Sequence, residues 1–262
     1  QVTLVEAADR LIAREEPFAS EQVEAALREQ GVDVHIGVKA VAVAARAASG
    51  EVEVELETGG PVRGDQLLVA IGRRPNTSEI GLDTVGLEPG KPIEVDDAMR
   101  ANDWLYAIGD VNGRALLTHM GKYQARVAAD QILGKDTRAT EDGVRSPRII
   151  FTDPQVAAVG YTVATATEAR LDVRAVDVPT QGNAGASFYG SDAAAGTSRL
   201  VVDEARGVVV GATFTGPEVA DFLQAATIAV VGEVPLERLA HAVPSFPTRS
   251  EVWLYLLEEL GF

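Results

Sequence analysis

Two carboxylates stand where short apolar runs end, and both have the chemistry to hold a hydroxylated ligand. Asp110 lies in LYAIGDVNG, residues 105–113, where four apolar or small residues run into Gly109-Asp110 and then a turn. A buried strand with that ending points an acceptor-only group beyond the sheet edge, where it can orient a polyol or ribityl hydroxyl. Gly109 permits close backbone approach. The same dipeptide also reads as an Asx turn that closes a strand. Glu6 ends the apolar run Val2 to Val5. In a dinucleotide-binding unit an acidic residue there accepts from the ribose hydroxyls and repels a 2′-phosphate, which favours NAD over NADP. Taken alone, Glu6 reads as a solvated strand end. The glycine-rich turn expected about 20 residues before it is not in the sequence.

Other chemistries are poorly supplied. There is no Cys, so there is no disulfide framework, thiolate nucleophile or Cys-ligated metal. The three His, at 35, 119 and 241, are scattered, and no metal set is expected. The 262 residues carry 23 Lys+Arg against 39 Asp+Glu, a formal net charge of -16. That acidity disfavours nucleic acid and anionic membrane surfaces as partners. No apolar run approaches the roughly 18 residues of a spanning helix. The plain expectation is a cytoplasmic protein. Gln1 opens directly on an apolar strand, which suggests a segment upstream of it.

The elements that must position these residues follow from periodicity. Val2 to Val5 predicts a buried strand, and Ser20 with Glu21 predicts the start of a helix carrying Val23, Ala26 and Leu27 and closed by Gly31. Val32 to Ile36 is the next strand. Val41, Val43 and Ala45, then Val52, Val54 and Leu56 among Glu51 to Glu57, predict a hairpin around Ser49-Gly50. Leu67 to Ile71 predicts a central parallel strand that leaves the sheet at Gly72-Arg73-Arg74-Pro75. A loose Gly/Pro/Asp-rich segment, Thr77 to Asn102, leads to LYAIGD and a helix from about Thr118 to Leu133. After a composition shift near Thr137 to Pro147, strands are expected at 149–151, 173–178, 199–202 and 208–214, with a turn at Ala205-Arg206-Gly207. Helices are expected at 218–231 and 252–260. The fold class is therefore α/β: an incomplete Rossmann-like nucleotide-binding region followed by an α+β domain. The boundaries fall at residues 1–75, 76–146 and 147–262.

At this point the motifs carry a resemblance. VDDAMRANDWLYAIGDVNG followed by LLTHMGKYQARVAADQILG resembles the FAD-binding signature of the pyridine nucleotide-disulfide oxidoreductase family. LLVAIGRRPN resembles the exit from that family's NAD domain. RIIFTDPQVAAVG, VVVGATFTGPEVADFLQAATIAV and VPSFPTRSE resemble its interface (dimerisation) domain. The resemblance implies that Gly109 and Asp110 face the ribityl chain of FAD. It implies that the backbone of Leu117, Thr118 and His119 faces the flavin pyrimidine, where a helix N-terminus stabilises negative charge. His119 reads equally as a cap or core histidine whose backbone alone matters. Glu6 would hold the NAD ribose, and Gly72 would let the nicotinamide side approach. A homodimer is implied, with Phe246 to Glu251 reaching the partner's flavin.

The sequence departs from the family pattern twice. The first FAD-binding unit, the redox cysteine pair that can follow it and the NAD glycine motif are not in this sequence. The resemblance therefore covers the C-terminal part only, and the chain alone is expected to be inactive without its N-terminal FAD/NAD-binding segment. In SFPTRSE, Phe246 also stands where the disulfide reductases place a catalytic His, although Glu251 matches the acid that follows. Phe cannot move a proton, so a small-molecule acceptor needing no thiol protonation (a quinone, a metal ion or oxygen) is favoured over a disulfide. Glu251 reads at least equally as a first-turn acid in a capping box with Thr248. The leading expectation is part of an FAD-dependent NAD(P)H oxidoreductase, with NADH favoured. The alternatives are a non-catalytic truncated dimerisation module and, less strongly, a nucleotide-binding regulator using Glu6 and Gly72.

Overall fold

The computed structural model describes residues 1–44, 50–189 and 196–262. In chain order the elements are β1 (Thr3–Glu6), α1 (Pro17–Glu29), β2 (Asp33–Ile36), β3 (Ala40–Ala44), β4 (Val52–Leu56), β5 (Val62–Gly64), α2 (Thr118–Ile132), β6 (Arg148–Ile150), β7 (Gln155–Gly160), α3 (Val163–Glu168), β8 (Val173–Pro179), β9 (Thr197–Asp203), β10 (Val208–Gly216), α4 (Leu223–Val231), α5 (Leu236–Leu239) and α6 (Val252–Leu260). They group into two compact units, Gln1–Val69 with Ile149–Phe262, and Ala70–Arg148.

In the first unit β1 and β2 pair in parallel, as their α1 crossover requires. Leu11, Ala19, Val23 and Val34 pack there with Val156, which joins this piece to the larger sheet. Helix α1 starts three residues before the expected cap, with Pro17 in its first turn, and Glu16 is its N-cap. Ser20 lies inside the helix, where its hydroxyl donates to the Leu11 carbonyl at 2.6 Å. β3, β4 and β5 form an antiparallel sheet, which matches the expected hairpin. Ala45 and Ser49 of that hairpin fall outside the described residues.

The larger sheet runs β6-β7-β10-β9-β8. All nine residues of β10 are buried, because it lies between β7 and β9 with both faces covered. Phe214, Phe222 and Trp253 meet over that sheet, with ring centroids 5.9 and 6.3 Å from Phe214. Each fully buried side chain of this size contributes about 1.5–3 kcal/mol. Leu223, Ala226 and Val230 of α4 and Leu256 and Leu257 of α6 complete the core.

Two expected strands are not formed. Leu67 to Ile71 joins no ladder, and Leu68 and Ile71 are 89% and 94% exposed. An apolar run becomes a strand only when another strand supplies hydrogen bonds, and no described strand does so here. Residues 105–109 make only an isolated bridge, Arg100 to Tyr106, and Gly109–Asn112 is a 3-10 turn. In the second unit Met99, Val127, Ala128 and Ala139 form one small core, and Leu82, Ile93 and Ala107 another. No described helix is long and apolar enough to cross a membrane.

Candidate functional site

Asp110 sits in the 3-10 turn, entered through Gly109 at φ +75°. Its carboxylate is about half exposed and pairs with Arg73, Nη1 to Oδ2 at 3.0 Å. The same Arg73 nitrogen donates to the Leu116 carbonyl at 3.4 Å. One guanidinium thus bridges the turn and the segment that leads into α2. Gly72 before it has φ +123°, with open space where a Cβ would stand, so the glycine serves the backbone conformation.

Helix α2 begins at Thr118 after Leu117, which is extended and gives no side-chain cap. The orphan N–H groups of the first turn therefore look for an acceptor outside the helix. His119 is tied down: its Nε2 lies 2.7 Å from the Pro147 carbonyl, which can only accept, so Nε2 carries the proton. Its side chain acts as a tether, and its backbone stands at the helix end.

Beneath the turn lies a buried polar network that sequence reading missed. Gln124 accepts at Oε1 from the Gly109 N–H at 2.7 Å and from Asn112 Nδ2 at 3.0 Å. Its Nε2 donates to Asp142 Oδ2 at 2.9 Å. Arg114 binds Asp142 through Nε at 2.8 Å and Nη2 at 2.9 Å, and reaches Asp97 at 2.9 Å. The hydrogen bond to Asp142 holds the Arg114 guanidinium above its ordinary value; burial opposes this and Asp97 reinforces it. The partners come from four separated stretches of chain, so no local signal marks them.

In the first unit Glu6 ends β1, and its Oε1 accepts from the Ala8 N–H at 2.8 Å. Glu251 is 8% exposed, at the junction of a 3-10 turn and α6, and its Oε2 is buried without a hydrogen-bond partner. The expected capping box with Thr248 is not made. The Thr248 hydroxyl donates to the Ser245 carbonyl at 2.6 Å, and only its backbone carbonyl receives the Glu251 N–H. Phe246 is 77% exposed. No group of three or more His, Asp or Glu able to hold a metal occurs among the described residues. A cleft of about 340 Å³, lined in part by Thr3, Asp33, His35 and Arg63, includes none of the expected site residues.

An acceptor-only carboxylate beside an uncapped helix end fits the ribityl and pyrimidine portions of a flavin: the first accepts hydroxyl protons, the second favours an electron-rich ring edge.

Comparison with known proteins gives the family. Residues 1–131 match the family described as pyridine nucleotide-disulphide oxidoreductase, and residues 146–256 match its dimerisation domain. The chain is 31% identical over 267 residues to dihydrolipoyl dehydrogenase of Bacillus subtilis, covering 98% of this chain and 55% of that protein. It is 34% identical over 254 residues to dihydrolipoyl dehydrogenase of Mycobacterium tuberculosis, covering 95% and 54%. Among solved structures, LpdA from Mycobacterium tuberculosis superposes with a TM-score of 0.88 at 27% identity, over 99% of this chain and 56% of that one. The chain thus spans about half the length of the relatives it matches. On the motifs, the fold and these matches together, the chain belongs to the pyridine nucleotide-disulphide oxidoreductase family.

Proposed function

We propose that this chain is the C-terminal part of an FAD-dependent NAD(P)H oxidoreductase that works as a homodimer in the cytoplasm. Residues 1–75 would contribute to the NAD domain, 76–146 to the flavin side and 147–262 to the dimer interface. The observation that carries the reading is Asp110, exposed in its turn, with the uncapped N-terminus of α2 nearby in the same unit. When bound, the flavin would supply hydride uptake from the nicotinamide and electron release to an acceptor.

The chain's own residues would do the following. Asp110 would accept the ribityl hydroxyl, with Gly109 allowing the turn. The first-turn N–H groups at Thr118 and His119, after Leu117, would favour charge at the pyrimidine end. Glu6 would offer the ribose its second carboxylate oxygen, which favours NADH, and Gly72 would shape the nicotinamide side. Remaining flavin contacts would come from a segment outside this sequence. Glu251 would be the acidic group at the interface end, and its open Oε2 supports that role. Phe246 has no proton to give, which supports an acceptor such as a quinone, a metal ion or oxygen over a disulfide. The test is FAD titration of the purified chain and of Asp110→Ala, followed by flavin fluorescence. Saturable binding that weakens about tenfold in the variant supports the reading. Equal affinity of the two proteins removes it.

A further inference from the structure

We propose that Gln124 is the residue that locks the Asp110 turn to the N-terminal half of α2, and so fixes the spacing of the two groups assigned to the flavin. The assignment of that ligand rests on the reading above, but the lock stands on geometry alone. Gln124 is fully buried on the second turn of α2 and makes three hydrogen bonds, two of them to the turn. The bond from the Gly109 N–H immobilises the Ile108–Gly109 peptide, one link before the Gly109–Asp110 bond. Asn112, held by the same oxygen, also donates to the Ala107 carbonyl at 3.1 Å and accepts from the Arg114 N–H at 3.0 Å. The turn is therefore gripped at both ends from inside, while Asp110 points outward.

Helix α2 is shaped for this grip. Gly121 lies one turn before Gln124 on the same helix face. A Cβ there would stand 3.3 Å from Gly109 Cα, so only glycine lets the helix come this close without a shift. The far side of the Gln124 amide is anchored by Asp142, which is 2% exposed and is itself held by Arg114. The helix that offers free N–H groups at its start thus also holds the carboxylate turn through its second turn.

The amide satisfies this site without a charge and at every pH, because it accepts on one atom and donates on the other. Gln124→Met removes both functions at similar length. Gln124→Glu behaves differently with pH, because full burial beside the Asp142 carboxylate pushes its carboxyl above the usual carboxylate range. Protonated, its carbonyl oxygen accepts from Gly109 and its O–H donates to Asp142, which reproduces the amide. Ionised, it faces Asp142 with no proton between them. Arg114 is the cation nearby, already shared between Asp142 and Asp97. The turn should then open as pH rises.

The test is hydrogen exchange of the full chain, read as the protection factor of the Gly109 amide relative to Val127 and Ala128 inside α2. In Gln124→Met, relative protection should fall about tenfold or more at both pH 5 and pH 8. In Gln124→Glu it should stay near wild type at pH 5 and fall by a similar factor at pH 8. Unchanged Gly109 protection in Gln124→Met overturns the proposal. So does a Gln124→Glu profile that does not depend on pH, because packing alone would give that result. FAD titration of the wild-type chain and of Asp110→Ala separates the two ideas. The full protection pattern with equal FAD affinity in the two proteins would remove the flavin reading and leave the lock in place.

Discussion

Arg199 joins α1 to the large sheet, and its loss should cost far more than a surface ion pair. The guanidinium reaches Glu16 through Nη1 at 3.0 Å and Asp177 through Nε and Nη2 at 2.6 and 2.7 Å. It also lies 4.9 Å above the Phe18 ring centroid. The two carboxylates differ in what they lose. The Asp177 side chain is 43% exposed, so water replaces the arginine, and that part is worth about 0.2–1 kcal/mol. The Glu16 side chain is 2% exposed and stays pinned by the Val163 N–H at 2.9 Å. Removing its cation leaves a buried charge unpaired, which costs about 3–5 kcal/mol. Arg199→Met keeps the apolar stem and removes the charge, so the expected loss is about 3–5 kcal/mol. Glu16→Gln added to it keeps the acceptor for Val163 without the charge, and the double variant should recover at least half of that loss. Urea unfolding followed by the fluorescence of Trp253, buried in the same unit, reads both values from the midpoint at unchanged slope. A loss under about 1 kcal/mol in Arg199→Met, or no recovery in the double variant, would refute the reasoning.

Three further outcomes follow from the same physics. Gly211→Ala puts a Cβ into the Tyr161 backbone beside the irregularity in β10, where flexible atoms cannot yield; a loss of about 3 kcal/mol or more is expected in the same unfolding assay. Arg73→Ala breaks an exposed pair, so stability should change by less than about 1 kcal/mol while Asp110 becomes free of its cation; a larger loss on unfolding would mean that Arg73 packs rather than pairs. The hydrogen bond from Lys135, then its charge, holds Asp130 below the usual carboxylate range, so the pair stabilises the fold above the unfolded carboxyl's pKa and loses that effect as pH falls through the lowered value. Lys135→Ala should move the Asp130 titration upward in an NMR titration, and an unmoved midpoint would count against the pairing.

Where periodicity and end signals agreed, the elements were legible in the sequence. Helix α6 spans the expected 252–260, and α2 starts at Thr118 and stops just before Gly134, whose φ is +80°. The expected strands near 173, 199 and 208 are β8, β9 and β10, each slightly longer than expected. β7 escaped notice because its small and apolar residues, buried on both faces, show no alternation. Leu67 to Ile71 misled for the complementary reason: hydrophobicity can be read locally, whereas strand pairing is made by distant chain. Ser20 passed for a cap because its hydroxyl chemistry suits one, but Pro17 gives the helix an earlier start. At the candidate site Asp110 and the α2 start stand out by type and spacing. Gln124, Asp142 and Arg73 do not, because their roles exist only once residues 73, 109, 112, 114, 124 and 142 are folded together.

The most direct test of the flavin-facing role is an amide map of the isotope-labelled chain titrated with FAD. The account predicts saturable shifts concentrated at Gly109 to Asn112 and at Thr118 and His119, which would register even for weak binding. Saturable shifts confined to other parts of the chain would contradict it.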